Sequence, residues 1–125
     1  MPALNRVEPI GRLGKDPETH FTAFGRKVCK FTVAVNRTWK TGEGEPREVT
    51  DWFNVDTWGK LGETCQQYLY KGWLIYVEGG LQADSYEHEG DTRYFTKLVA
   101  RHIQMLDPKA EEAEVVAEGE PDADP

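Results

Sequence analysis

Two stretches of this chain alternate apolar and polar residues with the two-residue period of a β-strand, and they point to a mainly β fold. From Lys27 to Trp39, the residues Cys29, Phe31, Val33 and Val35 share one face. From Asp51 to Trp58, Phe53, Val55 and Thr57 share one face, and Trp52, Asn54, Asp56 and Trp58 share the other. The second stretch is the more informative. Asn54 and Asp56 belong in water, so their face should also hold the indoles of Trp52 and Trp58 at the surface. A strand rises ~3.3 Å per residue, which sets those rings ~20 Å apart on one side of a sheet.

For Trp52 and Trp58 taken alone, burial in a core or an oligomer interface and stacking against a flat ligand are both open. Trp39 and Tyr86 shift the balance toward stacking. Each lies near a Gly-rich, charged segment, Gly42-Glu43-Gly44 or Glu89-Gly90-Asp91, that reads as a hairpin tip. A chain this small has little with which to bury aromatics there. Trp73, inside Trp73-Leu74-Ile75-Tyr76-Val77, belongs to the core. Nucleobases are the flat rings that such a platform suits.

The elements follow in order. Leu4 to Leu13 reads as a first strand, and Pro9, lacking an N–H, demands an edge or a bulge there. Gly14-Lys15-Asp16-Pro17 is a turn. After the strand Lys27–Trp39, a hairpin tip spans about Lys40–Glu48 and leads into the strand Val49–Trp58. A helix is predicted over Lys60–Lys71, where Leu61, Cys65, Tyr68 and Leu69 recur at helical spacing and Lys71-Gly72 closes it. A central strand, Trp73–Leu81, a second tip near Tyr86–Thr92 and a last strand, Arg93–Leu106, complete the set. The order β-β-β-α-β-β predicts an all-β, five-stranded OB-fold barrel with one helix between strands 3 and 4.

Charge divides the chain. The formal net charge is −7 over 125 residues. Residues 108–125 hold seven acids against Lys109, so they carry −6; residues 1–107 hold 14 Lys and Arg against 15 Asp and Glu, leaving −1. This predicts one folded domain over 1–107 and a disordered acidic tail over 108–125. A near-neutral body can still present a basic groove if its charges segregate. Cys29 and Cys65 lack CxxC spacing and a matching His pair, and read as small buried hydrophobes. His20, His88 and His102 are scattered, so neither a metal nor a cofactor is expected. With no run of ~18 apolar residues and no signal peptide, a soluble cytoplasmic protein without membrane contact is expected.

Several segments, taken in order and spacing, carry a resemblance. They are Ile10-Gly11-Arg12-Leu13-Gly14-Lys15-Asp16-Pro17-Glu18, Ala34-Val35-Asn36-Arg37 with Trp39, and Thr50-Asp51-Trp52. They continue with Trp58-Gly59-Lys60-Leu61, Tyr68-Leu69-Tyr70-Lys71-Gly72, Tyr76-Val77-Glu78-Gly79, and Arg93-Tyr94 with Thr96. Over roughly residues 3–107 the chain resembles the bacterial single-stranded DNA-binding proteins, the SSB family. The resemblance implies an OB fold, a homotetramer with a dimer as fallback, and sequence-independent binding and protection of single-stranded DNA in replication, recombination and repair, without catalysis. It also implies a nucleoid-associated protein whose acidic tail recruits replication and repair proteins. The family's stacking positions fall on Trp39, Trp52, Trp58 and Tyr86. Its phosphate contacts fall on Arg37, Lys40, Lys60 and Lys71, followed by Arg12, Lys15 and Arg93.

The chain departs from the family pattern at named places. After Glu78-Gly79, Gly80, Gln82 and Asp84 replace a basic run; Asn54 stands where a basic residue is common, and Asp56 adds an acid. Phe53 stands where many relatives carry His at a subunit contact, and Pro121-Asp122-Ala123-Asp124-Pro125 lacks the family's terminal Ile-Pro-Phe. These differences predict fewer ion pairs per nucleotide, a tetramer of altered strength, and either a tail cut short or weaker recruitment by it. Two other classes compete. A primosome-type interaction module would use the aromatics for oligomer contacts and lack the acidic tail. An OB-fold nuclease would need clustered carboxylates with a metal, for which only Asp51, Asp56 and Glu63 are near, with no His beside them.

Overall fold

The computed structural model describes residues 2–107, so the acidic segment 108–125 lies outside the described residues. The two alternating stretches form one long antiparallel hairpin, β3 (Lys27–Lys40) and β4 (Pro46–Trp58). Its register is unbroken from Val28↔Trp58 to Lys40↔Pro46. Two short strands, β1 (Ile10–Leu13) and β2 (Glu18–Phe21), precede it. One helix, α1 (Gly59–Tyr68), follows, and a second long hairpin, β5 (Leu74–His88) and β6 (Asp91–Met105), ends the described chain.

Five strands close on themselves in the order β1-β5-β6-β4-β3, and a further pairing of β1 with β3 completes the ring. Each of these five strands therefore has a neighbour on both sides. All pairings are antiparallel except β4–β6, where Val55↔Leu98 and Asp56↔Val99 run parallel. This is the expected five-stranded OB barrel, with its helix between the third and fourth barrel strands. β2 adds to the outside of β3 through Glu18↔Lys30 to Phe21↔Lys27.

Alternation supplies the core. Cys29, Phe31 and Val33 of β3 meet Val55 of β4, Ile75 and Val77 of β5, and Leu98, Ile103 and Met105 of β6. Leu61 and Cys65 of α1, with Leu69 just past its end, complete the core. Each fully buried aliphatic side chain contributes ~1.5–3 kcal/mol relative to exposure. The β5–β6 register shifts between Glu78 and Gly79, skipping Arg101. A Cβ on Gly79 would lie 2.1 Å from the Val99 carbonyl oxygen. Only glycine lets the two backbones approach so closely at this corner.

Three boundaries differ from expectation. The first strand is not continuous from Leu4: Val7 makes an isolated bridge to Gly79, and regular pairing begins at Ile10. Pro9, between them, has no N–H to give and accepts instead from the Val77 N–H at 3.0 Å. The helix ends at Tyr68 rather than Lys71, because Leu69 is extended (φ −86°, ψ 144°). The next turn is held elsewhere: Asp16 Oδ1 accepts the Lys71 N–H at 2.8 Å, and the Leu13 carbonyl accepts the Gly72 N–H at 2.9 Å. Lastly, β5 runs on to His88 instead of stopping at Leu81. With the outer part of β3–β4 it makes two arms that leave the barrel.

Candidate nucleic-acid interface

The outward face of β4 carries Trp52, Asn54, Asp56 and Trp58, as the alternation requires. Trp52 is 59% exposed, a large apolar surface left in water. Its indole is nonetheless seated. A Cβ on Gly14 would lie 2.5 Å from Trp52 Cζ3 and 2.7 Å from Thr32 Oγ1, so the ring rests where a side chain is missing. The Gly14 N–H donates to the Thr32 carbonyl at 3.0 Å, which fixes that seat to β3. Trp58 is half-buried at the start of α1. The Arg26 guanidinium lies 4.6 Å above its ring, a cation–π contact. The β2–β3 turn presents Arg26: its carbonyl accepts the Thr22 N–H at 2.8 Å, and its own N–H donates to Thr22 Oγ1 at 3.1 Å.

Asp56 corrects the sequence reading. It is 3% exposed, although it shares the face of two surface indoles. The compensation is ionic: Lys30 Nζ lies 3.3 Å from its Oδ1 and Lys97 Nζ 3.3 Å from its Oδ2. Lys97 also meets Asp84 Oδ2 at 3.0 Å. The hydrogen bond to Asp84, then the field of Asp56, holds the Lys97 ammonium above the usual lysine range. A buried carboxylate without such partners would be strongly unfavourable. Around this network runs a groove of about 250 Å³, lined among others by Lys15, Lys30, Asn54, Asp56, Phe95 and Lys97.

The β5–β6 arm reaches the groove through Phe95. Tyr86, 48% exposed on β5, packs its ring against Phe95, with centroids 5.9 Å apart. Arg93 is its cross-strand partner. Trp39 is 48% exposed on the other arm, with the Arg37 guanidinium 5.8 Å from its ring centroid. Parity separates it from the others. Trp39 falls on the side of β3 that carries Phe31 and Val33, whereas Trp52 is opposite Ala34 on the other side of the same ribbon. Three of the four expected aromatics therefore border one outer surface, and Trp39 lies round the edge of the arm.

The expected cations divide into two groups. Among the described residues Lys40, Lys60, Lys71 and Arg93 make no ion pair. The other three are engaged: Arg37 pairs in a fork with Asp51, Lys15 stands 3.7 Å from Glu18, and Arg12 donates to the Gly72 carbonyl at 2.9 Å. The bond between Lys71 N–H and Asp16 brings Lys71 and Arg12 to the Gly14–Pro17 turn, beside the seat of Trp52. Lys60 stands in the first turn of α1, two residues from Trp58.

Sequence reasoning missed Arg26, Lys30, Phe95 and Lys97. Lys30 lies on the Thr32 face of the first alternating stretch, so parity alone could have placed it outward. Phe95 and Lys97 carried no such signal. Among the described residues no three of His, Cys, Asp and Glu are grouped as a metal would require. No helix of the described residues is long and apolar enough to cross a membrane.

An OB barrel with seated indoles beside an outer groove, and unpaired cations around it, defines a class of single-strand-binding scaffold. The chain belongs to the Single-strand binding protein family, whose profile matches residues 4–106. It is 44% identical over 108 residues to single-stranded DNA-binding protein 1 of Chlorobaculum tepidum, covering 85% of this chain and 67% of that protein. It is 42% identical over 105 residues to the single-stranded DNA-binding protein of Neisseria meningitidis, covering 83% and 60%. Among solved structures, a Plasmodium falciparum SSB in complex with ssDNA superposes with a TM-score of 0.79 at 26% identity, over 86% of this chain and 98% of that one.

Proposed function

We propose that this chain binds single-stranded DNA without sequence preference, as a non-catalytic coat in replication, recombination and repair. The observation that carries this reading is Trp52, a 59% exposed indole seated against Gly14 beside a groove. Every base has a π-face, so stacking on such a ring gives affinity without choosing a base, at ~1–3 kcal/mol per stack. Trp58 and Tyr86 extend the stacking surface, and Trp39 takes bases from a strand that passes round the arm. Lys40, Lys60, Lys71 and Arg93 hold phosphates, with Arg12, Lys15 and Arg37 contributing where they can release their present partners. Phosphate neutralisation releases counterions and makes binding salt-dependent.

A homotetramer working in the cytoplasm on exposed single strands is part of the proposal, with recruitment of replication and repair proteins through residues 108–125. Light scattering at micromolar concentration tests the oligomer, and a monomer mass rejects it. Titration of oligo(dT) against intrinsic tryptophan fluorescence tests the binding. Strong quenching is expected from the single strand and far less from the same oligomer as duplex, whose faces are already stacked. Equal quenching by both removes the stacking mechanism.

A further inference from the structure

The groove between Trp52 and Trp58 carries its own anion. Lys30 and Asp56 are direct cross-strand partners, so their contact is built into the β3–β4 register. Lys97 reaches the same carboxylate from β6, with its Nζ 3.3 Å from Oδ2, while Lys30 Nζ spans Oδ1 at 3.3 Å and Oδ2 at 3.4 Å. At 3% exposure Asp56 has no water to take their place. Lys97 is pinned a second time by Asp84 at 3.0 Å, and its side chain is 17% exposed. The sum is simple: two lysines against two aspartates leave this centre with no net charge. The adjacent Lys15–Glu18 pair adds none. A phosphate arriving here would have to strip Asp56 of a partner and leave a buried carboxylate half-paired, which is costly. At the rim, Lys40, Lys60, Lys71 and Arg93 have no such competitor.

We infer that Asp56 is an internal counter-anion that holds Lys30 and Lys97 back from a bound strand and so sets its affinity and salt dependence. The inference rests on the proposed reading of the groove as a single-strand site. The centre of the groove then binds by stacking and the rim by charge. Asp56→Asn keeps the shape of the side chain and removes the anion. Lys30, whose side chain is 45% exposed, is then free to swing to a phosphate.

Oligo(dT) titrations of the full chain over a range of NaCl concentrations test this. For Asp56→Asn, the slope of log K against log[salt] should steepen by ~0.7, the value for one added phosphate contact on a single strand. If the gain vanishes at 1 M salt, that slope amounts to roughly eightfold tighter binding at 50 mM. Lys30→Met alone should leave the parent slope nearly unchanged, because that lysine is already committed to Asp56. In the Asp56→Asn background it should abolish the gain. An Asp56→Asn chain with an unchanged melting temperature that binds more weakly, or with the parent slope, overturns the inference. So does a parent slope flattened by ~0.7 in Lys30→Met, an outcome that does not depend on how Asp56→Asn folds. A parent chain that fails to bind oligo(dT) removes the proposed function as well; one that binds while these slopes disagree removes the counter-anion alone.

Discussion

The barrel and its two arms are made from the same strands and put them to opposite uses. In β3, the stretch from Cys29 to Ala34 alternates buried and more open positions, while Asn36 to Lys40 is exposed on both faces. β6 runs the other way, exposed from Asp91 to Thr96 and then alternating through Leu98, Ala100, Ile103 and Met105. A strand that leaves the barrel keeps its ladder of backbone hydrogen bonds and gives up its core. Side chains on the arm are therefore released from packing and available to a ligand. Stability and binding should separate along single strands.

The sharpest test sets one residue of each half of the β5–β6 hairpin against the other. Leu98 is fully buried, so Leu98→Ala should cost about 2–5 kcal/mol of unfolding free energy, read by denaturant titration. Oligo(dT) affinity of the folded protein should be unchanged. Tyr86→Ala, on the arm, should do the reverse, weakening binding by ~1–3 kcal/mol while leaving the unfolding midpoint in place. If Tyr86→Ala destabilises the fold as much as Leu98→Ala, the arm belongs to the barrel and the division is wrong.

The two indoles of β4 sharpen the comparison at the boundary. Trp52→Ala and Trp58→Ala should each weaken single-strand binding by ~1–3 kcal/mol without changing the oligomer mass. They should differ in stability. Trp58 is half-buried against Arg26, so its loss should also lower the melting temperature, whereas the loss of Trp52 should not. Dissociation of the oligomer by either substitution would assign that indole to a subunit interface.

Legibility in the sequence follows the same division. The inner halves of β3 and β4 were plain, since Phe31, Val33 and Val55 alternate with polar neighbours. The arms were not, because beyond Asn36 and Gln82 both faces meet water and burial leaves no period to read. β2 was hidden for the same reason, with three of Glu18, Thr19, His20 and Phe21 exposed. The helix was readable from Leu61, Cys65 and Leu69, but its end was not. That end is set by Asp16 and Leu13, more than fifty residues away in the chain. The aromatics proposed to stack were singled out by parity and by hairpin tips. Asp56 was put on the correct face and in the wrong solvent, because nothing local announces that lysines from β3 and β6 converge on it. Phe95 and Lys97 were missed because β6 is exposed on both faces up to Thr96, so no period of burial singles them out.

Gly14 offers a smaller and more selective perturbation of the outer surface. A methyl group at this position would stand 2.5 Å from the Trp52 ring, and the ring is the part that can swing aside. Gly14→Ala should therefore keep the fold and displace the indole, losing part of what Trp52→Ala loses in binding. The emission maximum of Trp52, measured in a chain with the other tryptophans replaced by phenylalanine, should move when the methyl is added. An unmoved maximum with unchanged affinity would mean that the glycine serves only the turn.

The smallest effect expected comes from charge alone. Residues 108–125 carry seven acids against Lys109, a net −6 on a chain whose remainder carries −1. Like charge repels phosphate over distances set by salt, with a Debye length of ~30 Å at 0.01 M falling to ~3 Å at 1 M. Deleting 108–125 should therefore tighten oligo(dT) binding at low salt, and the gain should fade as salt rises. Its signature differs from that of Asp56→Asn. The acidic segment acts through a screened field and should leave the Lys30→Met result unchanged, whereas Asp56 acts through two contacts and should not. Deletion that abolishes the response to Lys30→Met in the Asp56→Asn background would couple the two anions and merge rim and centre into one electrostatic site.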